Sequence, residues 1–155
     1  MANKLKKPQS LKPKFNSEQM LNACHIKQPH VLISFAFVTS KKQYNFNHYK
    51  KELRNELNAR RALDALLEFI TKRSWVELAG IPKEQLGGYE TMAWDVIQSQ
   101  HDLSIDGVIL APDTKVHVFR FGSRDYRVVG LKDTACHEMK IIAYDFDHSL
   151  YQHGS

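Results

Sequence analysis

Cysteine is scarce. The chain has only Cys24 and Cys136, far apart and in no CxxC pair, so neither a disulfide framework nor a zinc knuckle is indicated, and a reducing cytoplasm is the expected location. Long apolar runs are missing too: no stretch approaches the roughly 18 apolar residues of a membrane span, and the lysine-bearing N-terminus has no apolar signal core. No membrane partner is expected. GxGxxG, the P-loop Gly-Lys-Ser/Thr, HExxH and GxSxG are all absent, so dinucleotide, nucleoside-triphosphate, zincin and hydrolase readings lack their defining spacing. No cofactor is expected, and no internal repeat or low-complexity tract stands out.

The chain is 155 residues long, enough for one domain with a real core, and its 43% hydrophobic and 25% charged residues fit a globular protein. A formal net charge of +5 fits an anionic partner such as RNA or an acidic protein. Residues 1–29 carry several lysines, the single acid Glu18 and the prolines Pro8, Pro13 and Pro29. They read as a basic, loosely packed arm, and residues 30–155 as a single α+β domain.

HVLISFAFV, from His30 to Val38, is nearly continuously apolar and rich in β-branched and aromatic residues. It is expected to be a strand buried on both faces inside the sheet. From about Asn47 to Arg73 the spacing predicts a long amphipathic helix or a helical hairpin, with Leu53, Leu57, Leu63, Leu66, Leu67 and Ile70 on one broad face. Glu56 and Arg60 point into that face four residues apart, so they can pair. Ser74 and Glu77 have capping-box spacing at the start of a short helix that Gly80 and Pro82 end. Residues 90–98 read as a further strand.

The last third organises the rest. Lys115 to Phe121, Asp125 to Leu131 and Met139 to Phe146 are rich in Val, Ile, Phe and Tyr and are separated by turn-forming segments, which predicts an antiparallel β-meander. Helices should pack on one face of an antiparallel sheet, giving an α+β fold with the meander against the long helix or helical pair. Strand alternation puts Lys115, His117 and Phe119 on one face and Val116, Val118 and Arg120 on the other. In the last run it sets Lys140, Ile142 and Tyr144 against Met139, Ile141, Ala143 and Asp145.

The element order, the basic character and the sequence KVHVFRFG running into DYRVVGL resemble the RelE-like family of bacterial toxin ribonucleases, in which a hairpin carries an R-x-G-x-Y-R type pattern. The matching positions here are Arg120, Gly122, Tyr126 and Arg127, with His148 and Tyr151 at the end. Asp145 and Asp147 depart from the basic pattern common before the family's terminal Tyr. The resemblance implies metal-independent cleavage of ribosome-associated mRNA, restrained by an antitoxin. Such cleavage needs a base, an acid and cations for the charged phosphorane. His117 and His148 would serve as base or acid, Tyr151 as a positioning group or acid, and Lys115, Arg120, Arg124 and Arg127 as the phosphate clamp.

Two other readings compete. In the first, the chain is a non-catalytic basic module, of phage or host regulatory origin, that holds RNA or an acidic protein. In the second, Asp145, Asp147, His148 and His153 form a metal site, although alternation turns His148 away from the two aspartates. Under the toxin reading, the broad apolar face of the long helix is expected to meet an antitoxin or a second copy of the chain.

Overall fold

A computed structural model of the chain describes residues 30–48, 53–101, 103–105, 108–123 and 125–151. The basic arm of residues 1–29, Arg124 and His153 lie outside them. The elements run β1 (Leu32–Ser34), α1 (Leu53–Thr71), α2 (Trp75–Ala79), β2 (Tyr89–Ala93), α3 (Trp94–His101), β3 (Lys115–Phe121), β4 (Tyr126–Asp133) and β5 (Glu138–Asp145), with a 3-10 turn at Lys42–Tyr44. The fold is α+β.

The meander forms as the β-branched and aromatic runs require: β3, β4 and β5 pair in sequence, all antiparallel. Its first turn depends on Gly122, whose φ is +58° and where a Cβ would come within 2.3 Å of the Tyr126 ring. Only glycine tolerates both conditions, which gives a physical reason for the Gly122 and Tyr126 spacing. The second turn is closed by the Asp133 carboxylate, which accepts from the amides of Ala135 (3.0 Å) and Cys136 (3.3 Å). Cys136 is disulfide-bonded. The cysteine spacing did not point to this.

β2 extends the sheet antiparallel to β3, while β1 joins the other edge parallel to β5, giving the order β1-β5-β4-β3-β2. The sheet is therefore mixed rather than antiparallel throughout. The expectation of a central, doubly buried first strand is corrected as well. β1 has only three residues and sits at the edge, with Leu32 and the following Phe35 about half exposed. Continuous apolarity cannot distinguish a central strand from an edge strand whose flanks pack elsewhere.

Both faces of the sheet are covered, where helices were expected on one. On the first, Leu63, Leu66 and Ile70 of α1 and Trp75 and Leu78 of α2 pack on Phe119, Phe121, Val128, Ile141 and Tyr144. On the second, Trp94 and Ile97 of α3, together with Tyr44, Leu103 and Leu150, cover Val116, Val118, Val129 and Ile142. The helix α3 replaces the second half of the strand expected over residues 90–98. It starts at the residue after β2, with no Gly or Pro to mark the change.

Ser74 caps α2 in the expected capping box, with the Glu77 side chain returning to the Ser74 amide at 2.7 Å. The Glu56–Arg60 pair also forms. The apolar face of α1 is narrower than its spacing suggested, since Leu57 is exposed.

β5 breaks the simple alternation. Gly130 pairs with Ile141 and Val129 with Ala143, so Ile142 is an extra residue in a β-bulge. Met139, Ile141 and Tyr144 consequently share the first face, while Ala143 and Asp145 turn to the second. Gly130 fits the bulge because a Cβ there would come within 2.8 Å of the Lys140 carbonyl oxygen.

Candidate functional site

The register sets three charged residues in a row across the second face, with a fourth beside it. Arg120 of β3 lies opposite Arg127 of β4, and Arg127 lies opposite Asp145 of β5. Glu90 of β2 pairs with Val118, two residues along β3 on the same face, and so lies diagonally beside Arg120. Two guanidinium groups side by side would repel, and the flanking carboxylates offset this. Arg127 Nη1 donates to Asp145 Oδ2 at 3.3 Å, with both side chains almost wholly buried. Arg120 Nη2 reaches Glu90 Oε1 at 3.3 Å, and Lys83 Nζ reaches Glu90 Oε2 at 3.1 Å from outside.

The end of the chain closes over this row. The Tyr151 hydroxyl donates to Glu90 Oε1 at 2.6 Å, and the Arg127 guanidinium lies 5.2 Å from the centre of the Tyr151 ring. Asp145 accepts from the amides of Ser149 (3.0 Å) and Leu150 (3.3 Å), so the same carboxylate pairs with an arginine and ties down the last turn. Burial pushes the Glu90 carboxyl up, but Tyr151, Lys83 and Arg120 outweigh it and the net shift is down. At Asp145 burial wins and the carboxyl is raised, despite the amides and Arg127. Burial and then Glu90 push the Tyr151 phenol well above its usual range, so it remains a hydroxyl donor.

His117 stands on the opposite face, beneath Trp75 of α2, as strand alternation required. It is 6% exposed, its Nδ1 lies 2.7 Å from the Tyr89 hydroxyl, and its ring centre is 5.3 Å from that of Trp75. Burial, then the charges of Lys132 and Lys115, lower its pKa to about 4. The result is a neutral, packed imidazole. Lys115 is exposed at the start of β3. His148 is exposed in the turn after β5, with φ +61°.

Of the seven residues singled out for cleavage and phosphate binding, Arg120, Arg127 and Tyr151 come together. Lys115 and His117 lie on the other face, His148 lies in the final turn, and Arg124 is outside the described residues. Strand alternation already set Arg120 apart from Lys115 and His117, and the sheet likewise separates His117 from Tyr151. For the metal reading, Asp145 and Asp147 do adjoin, sharing a hydrogen bond and the Ser149 amide, but Asp145 is also bonded to Arg127 and Asp147 lies 3.6 Å from His48. Among the described residues no cluster of three His, Cys, Asp or Glu side chains is suited to a metal ion. Glu90 was missed from sequence, where nothing distinguishes it from an ordinary strand carboxylate. Only the pairing of β2 with β3 brings it diagonally within reach of Arg120.

Comparisons with protein-family models, curated proteins and solved structures find no match to this chain. No helix of the described residues is long and apolar enough to cross a membrane.

Proposed function

We propose that the chain is a basic module that binds RNA without cutting it. The observation that carries this reading is the division of its cations. Arg120 and Arg127 are engaged with Glu90 and Asp145 beneath Tyr151, while lysines such as Lys115 and Lys132 stand exposed at the end of the sheet. Exposed lysines supply sequence-independent phosphate contacts, whose hallmark is strong salt dependence. Binding of a labelled single-stranded RNA, followed on a denaturing gel, tests the proposal. Salt-sensitive binding with the strand left whole is expected, and strand scission at stoichiometric protein would overturn it.

A second reading draws on the meeting of Arg120, Arg127 and Tyr151 in one network: a RelE-like toxin endoribonuclease acting on ribosome-associated message and held by an antitoxin or by a second copy. It requires RNA to draw both arginines away from their carboxylates. Growth arrest and message loss on expression in a bacterium, abolished by Tyr151→Phe, would favour it over the first. Both readings carry a cytoplasmic location, where the Cys136 disulfide would stand reduced.

A further inference from the structure

The end of the sheet where β3 begins and β4 passes into β5 holds a polar hollow of about 340 Å³, lined among others by Thr114, Lys115, Lys132, Asp133, Thr134 and Lys140. Its charges are not balanced among the described residues. His117 pairs with Gly130 in the antiparallel β3–β4 ladder, and the same register carried two residues further sets Lys115 across from Lys132. Lys140 lies opposite Leu131, one position away. Like charges facing each other across neighbouring strands are unfavourable.

The acid in the hollow does not relieve this. Asp133 Oδ2 is taken by Lys140 Nζ at 2.8 Å and its Oδ1 by the two turn amides, and Glu138 at 3.8 Å also faces Lys140. Among the described residues, Lys115 and Lys132 have no carboxylate within salt-bridge distance. Lys132 is positioned by the Trp75 ring, 5.0 Å from its ammonium, so its charge is held over the rim. Both ammonium groups act on His117 beneath them and help to keep it uncharged. Every other strand cation of the sheet, Arg120, Arg127 and Lys140, meets a carboxylate.

Two uncompensated ammonium groups beside two threonine hydroxyls form the complement of a phosphate monoester, which carries about −1.5 to −2 charges and three acceptor oxygens at neutral pH. We propose that this hollow binds a phosphate monoester, as at the end of an RNA strand, with Lys115 and Lys132 as its charge partners and the Thr114 and Thr134 hydroxyls as further donors. The proposal deepens the RNA-binding reading and rests on it for the source of the phosphate. An internal phosphodiester, with a single charge, would satisfy only half of the pair.

The test compares RNA oligonucleotides of one sequence carrying a 5′-phosphate, a 3′-phosphate or neither, by fluorescence anisotropy, with inorganic phosphate as the minimal probe by thermal shift and NMR. Wild-type protein should bind one phosphorylated form at least about tenfold tighter than the unphosphorylated strand, and phosphate should raise its Tm. In the double variant Lys115→Gln, Lys132→Met, which retains aliphatic cover over Trp75, both effects should vanish, with an unliganded Tm equal to or above wild type. Lys72→Gln, removing an exposed lysine paired with Glu68 on α1, should leave both effects in place. Equal affinity of wild type for all three strands, or a preference that survives the double variant, overturns the site. If inorganic phosphate shifts the resonances of Lys115 and Lys132 while none of the RNAs binds, the site stands and the RNA reading falls.

Discussion

The two sets of cations on this sheet have opposite surroundings. Arg120 and Arg127 cross its middle, sandwiched between Glu90 and Asp145 and covered by Tyr151. Lys115 and Lys132 stand at its end, exposed and, among the described residues, without a carboxylate in reach. A guanidinium removed from water and bonded to a carboxylate holds the fold, whereas an exposed ammonium without a partner remains available to a ligand. Net charge alone cannot separate the two, because both sets contribute equally to it.

The sharpest way to break the comparison is at its buried half. Arg127→Met leaves the enclosed Asp145 carboxyl without its cation, which should cost about 3–5 kcal/mol in urea denaturation. Adding Asp145→Asn removes the buried charge but keeps only one of the two acceptors that Ser149 and Leu150 use, so it should recover part of that loss. A single variant as stable as wild type would mean that the pair does not hold the fold.

The next effect in size concerns His117, on the other face. Its folded pKa of about 4 lies below its ordinary 6.5, so the unfolded chain takes up the proton first. The contribution of the neutral imidazole is complete above pH 6.5 and is lost as the pH falls from there to about 4, by on the order of 2 kcal/mol. The carboxylates with lowered values, Glu90 among them, lose their contributions only at lower pH. His117→Gln should flatten the stability profile in that window, and an unchanged profile would contradict the burial argument.

Tyr151→Phe removes one hydrogen bond to a charged acceptor and should cost about 1.5 kcal/mol. RNA affinity should be unaffected. A variant that keeps its stability but loses function would move Tyr151 from the fold to the chemistry.

The meander, the capping box of Ser74 and Glu77 and the Glu56–Arg60 pair were legible in the sequence because each depends on local spacing. The opposed faces of Arg120 and His117 followed from the same alternation. What escaped was set by tertiary pairing. The bulge at Ile142 reverses the facing of the rest of β5, so Asp145 shares a face with Arg127 rather than following the parity of Met139 and Ile141. Neither a parallel edge strand nor a helix entered directly from β2 leaves a mark in composition. The arginines of the RelE-like pattern carried the same charge in the sequence as the lysines, and only burial and register distinguish them.

The most direct test of that distinction is the salt dependence of single-stranded RNA binding in two folded variants. Lys115→Gln with Lys132→Gln should change stability by no more than about 0.5 kcal/mol, while the slope of log Kobs against log salt for 5′- or 3′-phosphorylated RNA should fall in magnitude by about 1.4, the value for two phosphate charges no longer neutralised. In Arg127→Met with Asp145→Asn, the slope should equal that of wild type. A slope unchanged by the lysine substitutions but reduced by the arginine pair would contradict the account.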